Sequence, residues 1–436
     1  MKPMDKSTKT LLKEVDEYLL PLPSYPPFIV KGRGMTVEDQ EGNTYMDFMA
    51  GPGVVNTGHC HPDIVEAVTR QIGNLTQCPG NTHNLESIDL ARKLAEITPG
   101  DLKKVFFCNS GAEAVEGAVK IAKKYASCNG KLGLGTVALE HSFHGRLSFS
   151  LSLTGMTGRK KGLSNFIHPG SYHIMAPYCY RCKLKYPSCD LYCAQSLEDF
   201  FLTHLPADAV AAFICEPLMG VAGAIVPPQG YHQKIREICD RHGVLLIYDE
   251  VFAGFGRTGR MFAGEHFNVT PDIMTMAKGV GAGFPLGGVI TTPKVGAAIE
   301  VGDNYTTYGW NNVVGLTAGL KGIEVIEKEN LVKNAETVGA YFLDRLKETV
   351  ETYPFLGEAR GLGLFLGVEV VKDKASRSPD ADLAKRIKTG LMKRGHLIGV
   401  TGNYSCVMRI TPPLIVTKDQ VDQFIQSWKE SLDTLQ

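Results

Sequence analysis

Between residues 103 and 291, short apolar runs alternate with stretches of helical spacing, and this alternation narrows the possible folds more than any other feature. The runs are KKVFFC (103–108), TVALE (136–140), AVAAFIC (209–215), VLLIYD (244–249), IMTMA (273–277) and LGGVIT (286–291). Near-continuous apolar runs of this length mark strands buried on both faces, and helices between them imply crossover connections. GAEAVEGAVKIAKKYA (111–126) sets Val115, Ala118, Val119 and Ala122 on one helical face, and GYHQKIREICDRHG (230–243) ends on a glycine suited to close a helix. The expected fold class is α/β, a large domain around a mainly parallel sheet.

The two ends read differently. VKGRGMTVEDQEGNTYMDF (about 28–48) alternates short strands about a turn at Glu41-Gly42-Asn43. GLGLFLGVEVV (361–371) and CVMRITPPL (406–414) are further strands among C-terminal helices. With 436 residues two domains fit. The expected division is 59–329 as the large domain, with 1–58 and 330–436 forming a smaller α+β one. The N-terminus puts Leu11, Leu12, Val15 and Leu19 at helical spacing, with charges between them, followed by a proline-rich strap. It reads as an amphipathic helix and not as a signal peptide.

Lys+Arg and Asp+Glu both number 46, so no basic excess points to nucleic acid or an acidic membrane. No apolar run reaches the roughly 18 residues of a membrane helix. The 11 cysteines are spread along the chain, which suits reduced thiols and a cytoplasmic setting.

Three successive runs end on a polar residue: AAFIC on Glu216, LLIY on Asp249 and IMTMA on Lys278. Ligands of open α/β sheets sit beyond the carboxyl ends of the strands, so these residues would face one pocket. A capping ion pair would leave the same trace. The FFCNSGAEAVEGA stretch tips the balance, because strand, Ser-Gly and helix in series aim backbone N–H groups at an anion. An amine, a carboxylate and a phosphate cradle together match the needs of pyridoxal phosphate.

The chain resembles the class III aminotransferases of the pyridoxal-phosphate fold-type I superfamily. The resemblance spans nearly all of it: VNTGHCHPDIVEAVTRQ (55–71), NSGAEAVEGAVKIAKKYA (109–126), SFHGR (142–146), YDEVFAGFGRTGRMFAGEHFNVTPDIMTMAKGVGAGFPLGG (248–288), RGLGLFLGVE (360–369) and MRITPPL (408–414). It implies that Lys278 forms the Schiff base with the cofactor, then shuttles the substrate proton. The glycines at 279, 281 and 283 give it room to move. By the same resemblance Asp249 pairs with the pyridine nitrogen. Val251 and Phe143 pack on the two ring faces, although Phe143 read alone is more often plain core. Ser110, Gly111 and Ala112 cradle the phosphate, Thr307 serves the neighbouring subunit's phosphate in a homodimer, Glu216 supports the site, and Arg409 clamps a substrate carboxylate with its planar fork.

The chain departs from relatives in three places. Where many carry EP-x-Q-G-E-G-G, it has EPLMGVAG, with Met219 and Val221 in place of the glutamine and of the glutamate that switches the arginine off. Phe252 stands where glutamine is common and could wall the substrate pocket. Trp310 precedes two asparagines and could either narrow the pocket or pack an interface. Separately, Cys179, Cys182, Cys189 and Cys193 have C-x2-C-x6-C-x3-C spacing. That set is compatible with a zinc ion or with a plain thiol-rich loop, and the resemblance assigns no metal.

The expected activity is transfer of an amino group from a small ω-amino acid such as 4-aminobutyrate, β-alanine or taurine to pyruvate or 2-oxoglutarate. A racemase, epimerase or decarboxylating transaminase of the same fold would share Lys278, Asp249 and the phosphate loop, and a silent binding relative would keep the fold alone.

Overall fold

A computed structural model describes residues 7–21 and 27–435. Residues 22–26 of the expected proline-rich strap lie outside the described residues. The strands, in chain order, are β1 (Ile29–Arg33), β2 (Thr36–Asp39), β3 (Thr44–Asp47), β4 (Lys104–Cys108), β5 (Gly135–Leu139), β6 (Ser171–Ile174), β7 (Val210–Cys215), β8 (Leu245–Asp249), β9 (Ile273–Met276), β10 (Gly287–Thr291), β11 (Leu356–Leu362), β12 (Phe365–Val370), β13 (His396–Leu397), β14 (Gly399–Thr401) and β15 (Val407–Ile410).

The six apolar runs become β4, β5 and β7 to β10. With β6 they build a seven-stranded sheet in the order β4-β10-β9-β8-β7-β5-β6. Neighbours from β9 through to β6 are parallel, whereas β10 runs antiparallel to both β4 and β9. Every residue of β7 and β8 is buried, because helices cover both faces. The period of two assigns each side chain its layer. Ala212, Ile214 and Ile247 pack under the helix Gly111–Cys128 with Val115, Ala118 and Ala122. Phe213, Leu246 and Tyr248 face Leu197 and Ile235 of the helices Tyr192–Thr203 and Tyr231–His242.

The chain ends build two smaller sheets, β1-β2-β3-β13 and β11-β12-β15-β14. In the first, β3 pairs in parallel with β13 through Met46 and His396, so N- and C-terminal segments share one sheet. A single hydrophobic cluster then runs from Phe48, Leu90 and Met276 to Phe424 and Trp428, joining these sheets to the edge of the large one. The N-terminal helix forms over Thr8–Tyr18 but buries none of its residues, and Leu19 falls past its end as the cap.

Candidate active site

β7, β8 and β9 lie side by side and parallel, with Cys215 opposite Tyr248 and Asp249 opposite Thr275. Their carboxyl ends therefore deliver Glu216, Asp249 and Lys278 to one edge of the sheet. Alternation along β8 sends Asp249 to the face of the helix Gly111–Cys128, the same side as Ile247. That helix begins at Gly111 with Ser110 as N-cap, whose hydroxyl accepts from the Glu113 N–H at 3.2 Å. The Gly111 and Ala112 N–H groups meet no acceptor among the described residues, which leaves two donors and the positive end of the helix for an anion.

Asp249 is fixed by three hydrogen bonds. Its Oδ1 accepts from Thr275 Oγ1 and from the Val251 N–H, both at 3.1 Å, and its Oδ2 accepts from His144 Nδ1 at 2.8 Å. Asp249 and His144 are both buried. Glu216 is buried too, and its two oxygens take the N–H groups of Phe143 (3.0 Å) and Gly220 (2.8 Å). Burial pushes its carboxyl up to about 7, against the pull of His144. Glu216 thus stitches the SFHGR loop to the EPLMG loop. Phe143 is half-buried, with Arg146 over its ring at 5.7 Å.

Lys278 sits in left-handed backbone geometry, φ 49°, a strained choice for a residue with a side chain, and a short turn through Gly281 follows. Burial and then the Arg409 guanidinium bring its pKa down to about 8, against the opposing carboxylates of Asp249 and Glu216. Its Nζ stands 3.7 Å from the centre of the Phe252 ring, and the Arg409 guanidinium lies 5.3 Å from the same centre. Phe252 is caged, since a methyl group on Gly220 would come within 2.6 Å of its ring.

Arg409 lies in β15 between Gly367 and Gly399 of the flanking strands. Its pKa falls to about 10 through burial, and no carboxylate pairs with it among the described residues. Met219 is fully buried in the core, while the Val221 carbonyl accepts from Thr401 Oγ1 at 2.6 Å, so neither position presents an acid to the guanidinium.

The residues fit pyridoxal phosphate on observations internal to the chain. The helix start carries two spare donors, and the Asp249 carboxylate is oriented by three partners. The Lys278 amine is held beside them with a lowered pKa. Gly111 lets these parts close up, because a Cβ there would come within 2.7 Å of Val251 Cγ1, which places Val251 between the phosphate loop and Asp249.

Thr307, expected to serve a neighbouring subunit, and Trp310 stand apart from this group of residues. Thr307 is exposed on the loop before Gly309, its carbonyl taken by Gln77 Nε2 at 3.0 Å, away from the Lys278 group. Trp310 lines a cavity of about 960 Å³ with Phe107, Tyr305 and Thr306, and neither Lys278 nor Arg409 reaches that cavity. Two buried residues escaped the sequence reading. His144 sits beside Phe143 in SFHGR, a motif read only for its aromatic ring. Arg257, fully buried, donates to Asn56 Oδ1 (2.7 Å) and to the carbonyls of Leu364 (3.2 Å) and Pro412. A charged residue inside an otherwise glycine- and aromatic-rich run, GFGRTG, was the available signal for it. Among the described residues no helix is long and apolar enough to cross a membrane.

Residues 22–432 match the family model Aminotransferase class-III. The chain is 38% identical to alanine–glyoxylate aminotransferase 2 homolog 2, mitochondrial, of Arabidopsis thaliana, over 98% of this chain and 88% of that one. It is 36% identical to the taurine–pyruvate aminotransferase of Bilophila wadsworthia, over 94% and 93%. The ω-transaminase from Pseudomonas jessenii, solved in complex with PMP, superposes with a TM-score of 0.91 at 30% identity, over 97% of each chain.

Proposed function

The chain belongs to the class III aminotransferases, pyridoxal-phosphate-dependent enzymes, and on that premise we propose that it moves an amino group from a small ω-amino acid to pyruvate or 2-oxoglutarate. Taurine, β-alanine and 4-aminobutyrate are the donors the reading favours. The observation that carries it is Arg409, a buried guanidinium without an acidic partner among the described residues, sharing the Phe252 ring with the Lys278 amine. An acid group and an amino group of one short substrate can engage this pair together. Without a glutamate to switch it off, Arg409 stays open to carboxylates and sulfonates alike.

When bound, pyridoxal phosphate supplies an aldehyde that captures amines and a cationic ring that withdraws electrons from the substrate carbon. The chain does the rest. The Gly111 and Ala112 N–H groups bind the phosphate, with Ser110 shaping the turn. Asp249 would hold the proton on the ring nitrogen, and His144 orients Asp249. Phe143 and Val251 would flank the ring and exclude water. With its pKa lowered to about 8, Lys278 has a far larger neutral fraction near neutral pH than a surface lysine, and its Nζ would take up and release the proton at the substrate carbon. Arg409 takes the carboxylate of the 2-oxo acid through both oxygens. Glu216 acts through the two loops it joins.

The working unit in this reading is a homodimer in which Thr307 completes the partner's phosphate site, set in the cytoplasm, where 11 free cysteines are at home. Relatives' names support the donor range: one of those compared acts on taurine with pyruvate. The test is a panel of ω- and α-amino donors against pyruvate and 2-oxoglutarate, with single L-amino acids followed for loss of chirality. Turnover of ω-donors with an oxo acid is expected. Racemisation of one amino acid without any oxo acid would replace this reading with the epimerase one.

A further inference from the structure

Transamination leaves the cysteine segment 179–193 unused. Cys179, Cys182, Cys189 and Cys193 all line one cavity of about 10 Å³, walled otherwise by groups such as Ala176, Pro177, Leu184 and Pro228. That is room for a single small atom. Water would be poorly served there, since it needs two to four good hydrogen-bonding partners and thiols are weak ones.

The backbone gathers the four thiols. The Cys182 N–H donates to the Cys179 carbonyl at 3.3 Å, closing a tight turn around the first pair. The Tyr192 N–H donates to the Cys189 carbonyl at 3.0 Å, and the helix Tyr192–Thr203 starts there with Cys193 in its first turn. The Ala194 N–H donates to the Leu191 carbonyl at 2.8 Å, fixing the start of that turn. All four cysteines are free, without a disulfide. Apolar packing does little for the middle of the segment, where Leu184 and Tyr186 are each 43% exposed. Arg181, Lys183 and Lys185 are interleaved with the cysteines and would offset negative charge on them.

We propose that Cys179, Cys182, Cys189 and Cys193 bind one divalent cation of the zinc class as four thiolates, a structural centre that staples residues 179–193. Binding releases the four thiol protons to solvent and involves no redox change. Among the described residues no three ligating side chains already converge on one point, so the ion draws the sulfurs in toward the cavity. The staple would reach beyond the loop. Arg181 forms an ion pair with the buried Glu369 of β12 at 2.7 Å, and Glu369 also meets Arg360 at 3.0 Å and the Tyr178 hydroxyl. Fixing the segment fixes that contact with the C-terminal sheet.

The experiment measures the metal content of the purified full-length protein, the number of thiols reactive in the folded state, and the absorption of the cobalt-exchanged form. About one zinc per chain, these four thiols protected, and the thiolate-to-cobalt and tetrahedral bands of a four-sulfur site are expected. Cys179→Ser, at an exposed position that tolerates change, should lose the metal and unmask thiols, as should Cys193→Ser. Cys128→Ser, exposed on another element, should keep it. A metal-free protein whose four thiols titrate freely, disulfides among these cysteines by mass spectrometry, or zinc retained in both Cys179→Ser and Cys193→Ser would each overturn the proposal.

Discussion

His144 Nδ1 donates to Asp249 Oδ2 at 2.8 Å, both side chains are buried, and His144 Nε2 has no partner among the described residues. The imidazole spends its one bond on aiming the carboxylate. Hydrogen bonds to charged groups contribute about 1.5–3 kcal/mol. His144→Phe should therefore weaken cofactor binding by roughly tenfold to a hundredfold. Titration of the apoprotein with pyridoxal phosphate, followed by absorbance, reads this directly. Affinity unchanged within a factor of two would remove the orienting role.

The lowered pKa of Lys278 predicts its reactivity. In the apoprotein, acylation of this one amine should reach half its maximal rate near pH 8, while surface lysines do so above pH 10. Competitive labelling with peptide mass spectrometry across pH separates the two. The sign for stability follows from the same shift. Below about pH 8 the folded chain carries a charged, desolvated amine at a cost, and the cost fades as pH rises from there toward 10.5. Lys278→Ala should abolish full turnover, yet stabilise the apoprotein more at pH 6 than at pH 9. Equal effects at both pH values would contradict the shift.

Arg409 should show itself as a substrate-binding group. Arg409→Leu is expected to raise the KM for pyruvate or 2-oxoglutarate by roughly tenfold or more, given about 1.5–3 kcal/mol for charge-assisted hydrogen bonds. The half-reaction with an uncharged amine donor should change little. Steady-state kinetics with both donor types tests this, and an equal loss with each would point to a general structural role.

Arg257 holds three chain segments through Asn56, Leu364 and Pro412, and burial drops its pKa to about 9 against the pull of Asp47. Arg257→Met strands three buried acceptors at about 1–3 kcal/mol each. Urea unfolding should show a loss of at least about 3 kcal/mol, with holoenzyme melting shifted in the same direction. A loss below about 1 kcal/mol would mean the acceptors find other donors.

The expected strands 103–108, 136–140, 209–215, 244–249, 273–277 and 286–291 each fall within one residue of the strand that forms. Strands buried on both faces announce themselves as apolar runs, so they were legible. β6 was not, because its SYHI sequence sits at the sheet edge, where three of its four residues are only partly buried. The antiparallel direction of β10 was equally hidden, since apolar content carries no sign of strand direction. In the site, Lys278, Asp249 and Glu216 could be read from their place at strand ends. His144 could not, because its meaning lies in a contact made across 105 residues of chain.

The order of residues determined the alternation of strand and helix, and with it the delivery of an amine and two carboxylates to one edge of a parallel sheet. Burial, period and propensity are local quantities that sequence carries directly. Tertiary structure alone decided what those groups do to one another. It set the Lys278 amine and the Arg409 guanidinium over one phenylalanine ring, locked Asp249 with a histidine from another loop, and left Arg409 without an acidic partner among the described residues. Such outcomes depend on distances between segments far apart in the chain, and an ionisable group takes its character from what folding brings beside it.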